Sequence, residues 1–371
     1  MQKWTALSVS VWNGATERSR ITSLWVKCAC IVSKPASHTY ERVPLMDMTL
    51  SQALILSAGA MLAGIVLLVK GGDWTVDSSV FIARKLGISP LLVGFTIIAF
   101  GTSLPELIVS ILANLEGSPG IALGNVLGSN IANILFVIGL CAIFTPLVTK
   151  SKAVLKDLTM MLAATVLLGL LLFSGEIGRL AGLGMVAVLI VYVSLQYKMA
   201  KSGEMPPPEE DEPGFSKPAQ AYGFLAMGLV GIALGAQFLV HGAKTSALII
   251  GVPDAVIGLS VIALGTSLPE LSTSIIAGRK GHSDMVLGNI IGSNVFNILM
   301  IIGLTAIAKP IVEGSFAPQL VSLDIWIVGL VSVMFAGLLL FYNRISKPVG
   351  FAFMAGYVIY NIYIYAIYIG S

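Results

Sequence analysis

The chain has 371 residues, of which 56% are apolar and only 11% are charged, whereas about 25% of an ordinary soluble chain is charged. Together with a mean hydropathy of +0.91, this composition excludes a soluble globular core and indicates a membrane protein. The net charge of +3 comes from scattered residues without a basic stripe, which argues against nucleic-acid binding.

Residues 1–48 differ in character from the rest of the chain. They lack the basic, apolar and small-residue order of a signal peptide, and Met46 and Met48 stand directly before the first long apolar run. We therefore expect residues 1–48 to be a poorly ordered tail or an over-extended start. A genuine extra element is the alternative.

The remaining chain is predicted to cross the membrane ten times, because a bilayer core about 30 Å thick needs about 20 apolar residues per helix. The predicted spans lie near residues 50–70, 88–113, 119–143, 154–174, 178–197, 220–241, 252–277, 284–307, 319–341 and 348–369. A hydrophilic linker at 198–219 separates a first five-helix block, 49–197, from a second, 220–371.

The two blocks contain a duplicated segment. Residues 94–140 and 258–304 match at 26 of 47 positions without a gap, and the matches include Gly, Pro, Glu and Asn. Because each block has an odd number of spans, the second copy must enter the membrane from the opposite side. The predicted fold is an all-α polytopic membrane protein of two inverted five-helix repeats, as in secondary transporters, whose substrate sites lie near the midplane.

The distribution of Lys and Arg predicts the orientation, because cytoplasmic loops are enriched in these residues. With the amino terminus outside, the predicted outer loops hold Arg179, Lys244 and Lys309, whereas the inner loops hold twelve basic residues. These are Arg84, Lys85, Lys150, Lys152, Lys156, Lys198, Lys201, Lys217, Arg279, Lys280, Arg344 and Lys347. We expect a multi-pass protein of the plasma or inner membrane, with both termini outside and a cytoplasmic 198–217 linker.

Glu106 and Glu270 are the candidate functional carboxylates, because an ionisable residue near the bilayer centre marks a functional site by default. Each ends a Gly-Thr-Ser-Leu-Pro-Glu segment, at 101–106 and 265–270. On a helix, the Thr and Ser lie four and three residues before the Glu and share its face; these hydroxyl residues are Thr102, Ser103, Thr266 and Ser267. Pro105 and Pro269 cannot donate to the preceding turn, which leaves carbonyl oxygens free there.

The next helix of each repeat carries a small and polar stripe. Its glycine pairs, Gly124/Gly128 and Gly288/Gly292, are typical of close helix packing. Its hydroxyl and amide residues are better interpreted as ligands: Ser129, Asn133, Ser293 and Asn297. An all-oxygen cavity with two carboxylates suits a hard cation such as Ca²⁺, whereas softer metals prefer His or Cys. Asp73 and Asp77, unmatched in the second repeat, are either structural or a cation-attracting mouth.

These motifs resemble the repeats of the calcium/cation antiporter superfamily, in particular prokaryotic sodium/calcium exchangers. The resemblance implies ten helices and alternating access, typically with three Na⁺ exchanged for one Ca²⁺ at four adjoining sites. Carried over by position, the implied ion ligands are Ala99, Thr102, Ser103, Glu106, Ser129, Asn133, Ala263, Thr266, Ser267, Glu270, Ser293 and Asn297. The alanines would contribute carbonyl oxygens. No cofactor or protein partner is expected, since the ions are substrates.

Two departures and one alternative accompany the resemblance. Potassium-dependent relatives, and some prokaryotic ones, carry Asp where this chain has Asn297, and animal exchangers place a large regulatory domain where this chain has about 20 residues. A calcium/proton antiporter is the alternative function, because two midplane glutamates could release Ca²⁺ by protonation. Members of that type usually show Gly-Asn in place of Gly-Thr-Ser. A channel or an intramembrane enzyme is not indicated.

Overall fold

The structure is a computed structural model that describes residues 50–149, 151–201, 215, 217–249 and 263–370. The expected tail at 1–48 lies outside the described residues. So do most of the 198–219 linker and the first part of the predicted helix at 252–277.

The first half of the described chain is almost entirely helical. Its elements are α1 Leu50–Leu86, α2 Pro90–Thr102, α3 Leu104–Leu115, α4 Pro119–Phe144, β1 Leu147–Val148, α5 Ser151–Phe173, β2 Glu176–Ile177 and α6 Arg179–Lys201.

Helix α1 is longer than predicted, since it continues from residue 70 to Leu86. It ends at Gly87, whose φ of +66° is a left-handed conformation that glycine adopts without strain. The N–H of Gly87 donates to Arg84 O and that of Ile88 donates to Ala83 O, which is a Schellman termination. The apolar run marks only the lipid-facing part of α1, so the predicted end at residue 70 was wrong.

The second half follows the first with nearly constant displacement. Its elements are α7 Pro218–Ile249, α8 Ala263–Thr266, α9 Leu268–Arg279, α10 Ser283–Ala308, β3 Ile311–Val312, α11 Leu320–Tyr342, β4 Arg344–Ile345 and α12 Lys347–Gly370. Helices α9 and α10 begin 164 residues after α3 and α4, as the duplicated segment predicts.

Seven of the described helices are long and apolar enough to cross a membrane, and the bent pair α2–α3 adds an eighth. This pair bends by 45° at Ser103, which has φ −86° and ψ 2°. Pro105 lies in the first turn of α3, where its missing N–H breaks no helical hydrogen bond. The described residues include only part of the corresponding span in the second half, and α12 is not among the seven helices, so the count of ten stays a prediction.

Helices α4 and α10 form the centre of the bundle, since 78% and 89% of an 18-residue apolar stretch of each are buried. Both contain a π-helical segment, at Asn133–Ile138 in α4 and Asn297–Ile302 in α10. Helices α1 and α7 pack against each other at the periphery, with 17% and 22% buried. A Cβ on Gly64 would lie 2.7 Å from Gly235 O, so these two backbones require glycine where they touch.

Two small antiparallel sheets connect the halves. Strand β1 pairs with β4, with Leu147 opposite Ile345, and β2 pairs with β3, with Ile177 opposite Ile311. Each sheet therefore takes one strand from each half. Strands β1 and β3 each follow the central helix of their half, and β2 and β4 each precede the last described helix of their half. The β1–β4 sheet is therefore the counterpart of the β3–β2 sheet.

Candidate functional site

Glu106 and Glu270 occupy the same position relative to a helix break. Each is the third residue of a 12-residue helix, α3 or α9, that begins directly after a non-helical Ser. Each glutamate is only 1% exposed. Unpaired N–H groups in the first turn of a helix favour a negative charge, so the break both turns the chain and stabilises a buried carboxylate.

The two halves meet at Glu270. Its carboxyl group lies near the hydroxyls of Thr102 and Ser103 at the α2–α3 break, and near that of Ser293 on α10. The carboxyl of Glu106 is close enough to interact with that of Glu270 electrostatically. Five of the sequence-predicted ligands, from both halves, therefore surround one position.

Seven of the predicted ligands each carry a buried oxygen atom that, among the described residues, has no hydrogen-bond partner of normal geometry. They are Ser103 Oγ, Glu106 Oε2, Asn133 Oδ1, Ser267 Oγ, Glu270 Oε2, Ser293 Oγ and Asn297 Oδ1. A buried polar atom without a partner costs about 1–3 kcal/mol. Unpaired buried oxygens also occur elsewhere in the described chain, for example on Thr75 and Ser332, so the two carboxylates of this set are what favour a hard cation.

The remaining predicted ligands lie on the same elements. Thr102 donates to Ala99 O at 3.4 Å, and both side chains are buried. Ser129 is 5% exposed and lies one turn before Asn133 on α4. Ala263 is the first described residue of α8, and Thr266 ends this helix directly before the second break. The structure thus puts these five residues on helices that carry or directly precede the other predicted ligands.

Asparagines hold the helices of each half together beside the glutamates. Asn125 Nδ2 on α4 donates to Glu106 O at 3.3 Å and to Ser110 Oγ at 3.0 Å on α3. Asn289 Nδ2 on α10 also bonds to α9, at 3.1 Å to Ser274 Oγ, the counterpart of Ser110, and at 3.1 Å to Thr273 Oγ1. These two amides fix each glutamate helix against its central helix.

Sequence reasoning missed two further amides, Asn130 and Asn294, which are each 1% exposed. Asn133 Nδ2 donates to Asn294 Oδ1, and Asn297 Nδ2 donates to Asn130 Oδ1, both at 3.0 Å. Both residues belong to the duplicated Gly-Ser-Asn-x-x-Asn pattern, which was the available signal. The pattern does not reveal that each amide contacts the opposite half.

Only one of the two glycine pairs has the predicted packing role. For Gly124 and Gly128 of α4 the prediction was wrong, because a Cβ on Gly128 would meet no described atom within 4 Å and one on Gly124 would reach only Leu320 Cδ2, at 4.0 Å.

The glycines of α10 do pack closely. A Cβ on Gly288 would lie 2.2 Å from Leu91 O, and a Cβ on Gly292 would lie 2.4 Å from Phe95 O. No real Cβ approaches a backbone oxygen so closely, so α10 can touch α2 only through glycine.

Comparisons with known proteins show the family of this chain. The family model described as sodium/calcium exchanger protein matches residues 56–198 and 220–366. The inner membrane protein YrbG of Escherichia coli is 33% identical over 84% of this chain and 98% of its own length. The sodium/calcium exchanger MaX1 of Methanosarcina acetivorans is 32% identical over 68% of this chain and 83% of its own.

A solved structure extends the likeness to three dimensions. The sodium/calcium exchanger from Methanococcus jannaschii superposes with a TM-score of 0.70 at 32% sequence identity. The superposition covers 82% of this chain and 97% of that chain.

Proposed function

Because the chain belongs to the sodium/calcium exchanger family, we propose that it exchanges Na⁺ for Ca²⁺ across the membrane by alternating access. The proposed ion site is the cavity formed by the α2–α3 and α8–α9 breaks and by the central helices α4 and α10. Its ligands are the twelve residues that the sequence resemblance implies.

One observation carries this proposal: the carboxyl group of Glu270, from the second half, lies near the hydroxyls of Thr102 and Ser103, from the first half. A site made from both halves can change its accessibility when the halves move relative to each other. Two carboxylates offset the charge of one Ca²⁺, and the neutral oxygens around them supply the further ligands that Ca²⁺ requires.

The internal symmetry supports the inverted-repeat part of the proposal. Replacing each residue by its counterpart 164 positions away exchanges Asn130 with Asn294 and Asn133 with Asn297. The hydrogen bond from Asn133 to Asn294 then becomes the one from Asn297 to Asn130. The pairing of β1 with β4 also becomes that of β3 with β2, with a displacement of 164 residues from β1 to β3 and of 168 from β2 to β4. A twofold relation between two inserted halves produces such exchanges.

The proposed orientation has both termini outside and the 198–217 linker in the cytoplasm. It is supported by the excess of Lys and Arg in the inner loops. The loop after α4 and the loop between α9 and α10 then lie on the cytoplasmic side.

The proposal is tested by ⁴⁵Ca²⁺ uptake into proteoliposomes in which the Na⁺, H⁺ and K⁺ gradients are imposed one at a time. An outward Na⁺ gradient should drive uptake of Ca²⁺, and the other two gradients should not. Uptake that follows a pH gradient and ignores Na⁺ would instead establish the calcium/proton antiporter.

A further inference from the structure

Asn130 and Asn294 lie in the centre of the molecule, where α4 meets α10, and neither belongs to the proposed ligand set. Asn130 Nδ2 donates to the backbone Asn294 O at 3.3 Å, and Asn294 Nδ2 reaches Asn130 O at 3.5 Å. Each amide therefore spans the boundary between the two halves.

These bonds fix the direction in which each amide points. A backbone carbonyl oxygen can only accept a hydrogen bond, so Asn130 must present its NH₂ group to Asn294 O. Its Oδ1 then faces the opposite way and accepts from Asn297 Nδ2 at 3.0 Å. The same argument makes Asn294 Oδ1 accept from Asn133 Nδ2 at 3.0 Å.

The second bond in turn orients the ligand amide. Because the NH₂ group of Asn297 is occupied by Asn130, the Oδ1 of Asn297 is left as the group that can face a cation. In the same way, Asn294 occupies the NH₂ group of Asn133, so the Oδ1 of Asn133 is the group that can face a cation. Both oxygens are buried and have no hydrogen-bond partner among the described residues, and both residues begin π-helical segments that contact the glutamate helix of the opposite half.

We infer that Asn130 and Asn294 are positioning residues that hold the carbonyl oxygens of Asn297 and Asn133, respectively, toward the transported cation. This inference rests on the proposed function, because it takes Asn133 and Asn297 as ion ligands. The positioning is crossed: Asn130 of the first half controls a ligand of the second half, although Asn133 is only three residues away on its own helix.

The crossed pattern predicts a specific set of energetic couplings. Replacing Asn130 with Leu keeps a similar side-chain volume but removes both hydrogen bonds, so the Asn297 amide can rotate its NH₂ group toward the cation. Residues that orient a metal ligand are typically worth about 10–100-fold in affinity. Asn130→Leu should therefore raise the Kd for Ca²⁺ by about tenfold or more in the full-length protein.

Equilibrium ⁴⁵Ca²⁺ binding to the purified protein in nanodiscs tests this with double-mutant cycles. Asn130→Leu combined with Asn297→Leu should bind no more weakly than Asn297→Leu alone, because the positioning residue has lost its ligand. Asn130→Leu combined with Asn133→Leu should instead multiply the two single effects. The set built on Asn294→Leu should give the mirror result, with coupling to Asn133 and not to Asn297.

Size-exclusion profiles and thermal unfolding identify variants that do not fold. If the Asn130→Leu variants do not fold, the variants built on Asn294→Leu provide the test. Equal coupling of Asn130 to both ligand amides, additive effects with Asn297, or an unchanged Kd would overturn the inference. So would loss of folding in both sets, since the two amides would then be structural. Ca²⁺ flux driven by H⁺ would overturn the proposed Na⁺ exchange alone, whereas additive Kd changes in a working exchanger would overturn the positioning alone.

Discussion

Lys280 Nζ lies 2.8 Å from Asp77 Oδ1 and 3.1 Å from Asp73 Oδ1, so the loop between α9 and α10 is bound to α1. Partial burial lowers the pKa of Lys280, but the hydrogen bonds and charges of Asp77 and Asp73 outweigh it and hold the pKa above its ordinary value. Of the two readings that the sequence left open for Asp73 and Asp77, this contact favours the structural one.

We predict that Lys280→Gln and Asp73→Asn reduce Ca²⁺ transport without abolishing it. All three side chains are about a third to a half exposed, and solvent-exposed ion pairs contribute about 0–1 kcal/mol. The free energy of unfolding should therefore fall by about 1 kcal/mol or less. Flux assays and thermal unfolding check this, with the exposed Lys85→Gln as the control. Complete loss of flux in a folded Asp73→Asn variant would make Asp73 part of the ion pathway.

We predict that substitutions at the α10–α2 contact are strongly destabilising. Gly292→Ala would put a Cβ 2.4 Å from Phe95 O and 2.7 Å from Phe95 Cα, and overpacking of this kind costs about 1–3 kcal/mol. Gly329→Ala on α11 is the matched control, because its Cβ would meet no described atom within 4 Å. Thermal unfolding in detergent should separate the two variants. Equal melting temperatures would contradict the packing role of Gly292.

We predict that a chain starting at Met46 transports Ca²⁺ as the full chain does. This shortened chain loses Cys28 and Cys30 and keeps Cys141, which is buried. A cysteine introduced into this shortened chain by Glu210→Cys therefore shows on which side of the membrane the linker lies. A membrane-impermeant thiol reagent added to intact cells should not label it, and should label it after lysis. Labelling of intact cells, or loss of flux on truncation, would contradict the topology or the dispensable tail.

We predict that K⁺ is neither required nor carried. Position 297 holds a neutral amide whose Nδ2 donates to Asn130 Oδ1, so the ion site has no third carboxylate. Sodium-driven Ca²⁺ flux should keep its rate when K⁺ is removed from both sides of the vesicle. Asn297→Asp is the informative comparison, because its carboxylate would face an acceptor oxygen and should lower the flux. Flux in the wild type that stops without K⁺ would contradict this prediction.

Much of the fold follows from periodicity and repetition in the sequence. Over the duplicated segment, α9 and α10 begin 164 residues after α3 and α4. The same Ser-Leu-Pro sequence forms the break before α3 and α9, and Gly117 and Gly281 turn the chain with positive φ before α4 and α10. The length of α1 was not predictable from hydropathy, since the helix continues to Leu86 through polar residues such as Asp73 and Asp77. Hydropathy measures lipid exposure, whereas hydrogen bonding decides where a helix ends.

The candidate site was likewise predictable from the sequence only in part. Glu106 and Glu270 were predictable because a carboxylate within an apolar helix is costly and needs a reason. The roles of Asn130 and Asn294 were not, because they depend on which atom of the opposite half each amide contacts. A sequence gives the residue type at each position, but not the direction in which a buried amide points.

The central claim is that Glu106 and Glu270 are the charged ligands of an exchanger. Two carboxylates offset one Ca²⁺ but leave one surplus positive charge when three Na⁺ are bound. Exchange should therefore be electrogenic, and one charge crossing the membrane potential is worth about 2.3 kcal/mol per 100 mV. Removing either carboxylate would leave the doubly charged ion under-compensated in a poorly solvated cavity.

The most direct measurement is ⁴⁵Ca²⁺ flux under an imposed membrane potential, in wild type, Glu106→Gln, Glu270→Gln and Glu116→Gln. Glu116 is the matched control, because it is exposed at the end of the helix that carries Glu106. Wild type and Glu116→Gln should show flux that responds to voltage, and both buried Gln variants should show none while remaining folded and inserted. Robust flux in either buried variant, or wild-type flux that is indifferent to voltage, would contradict the account.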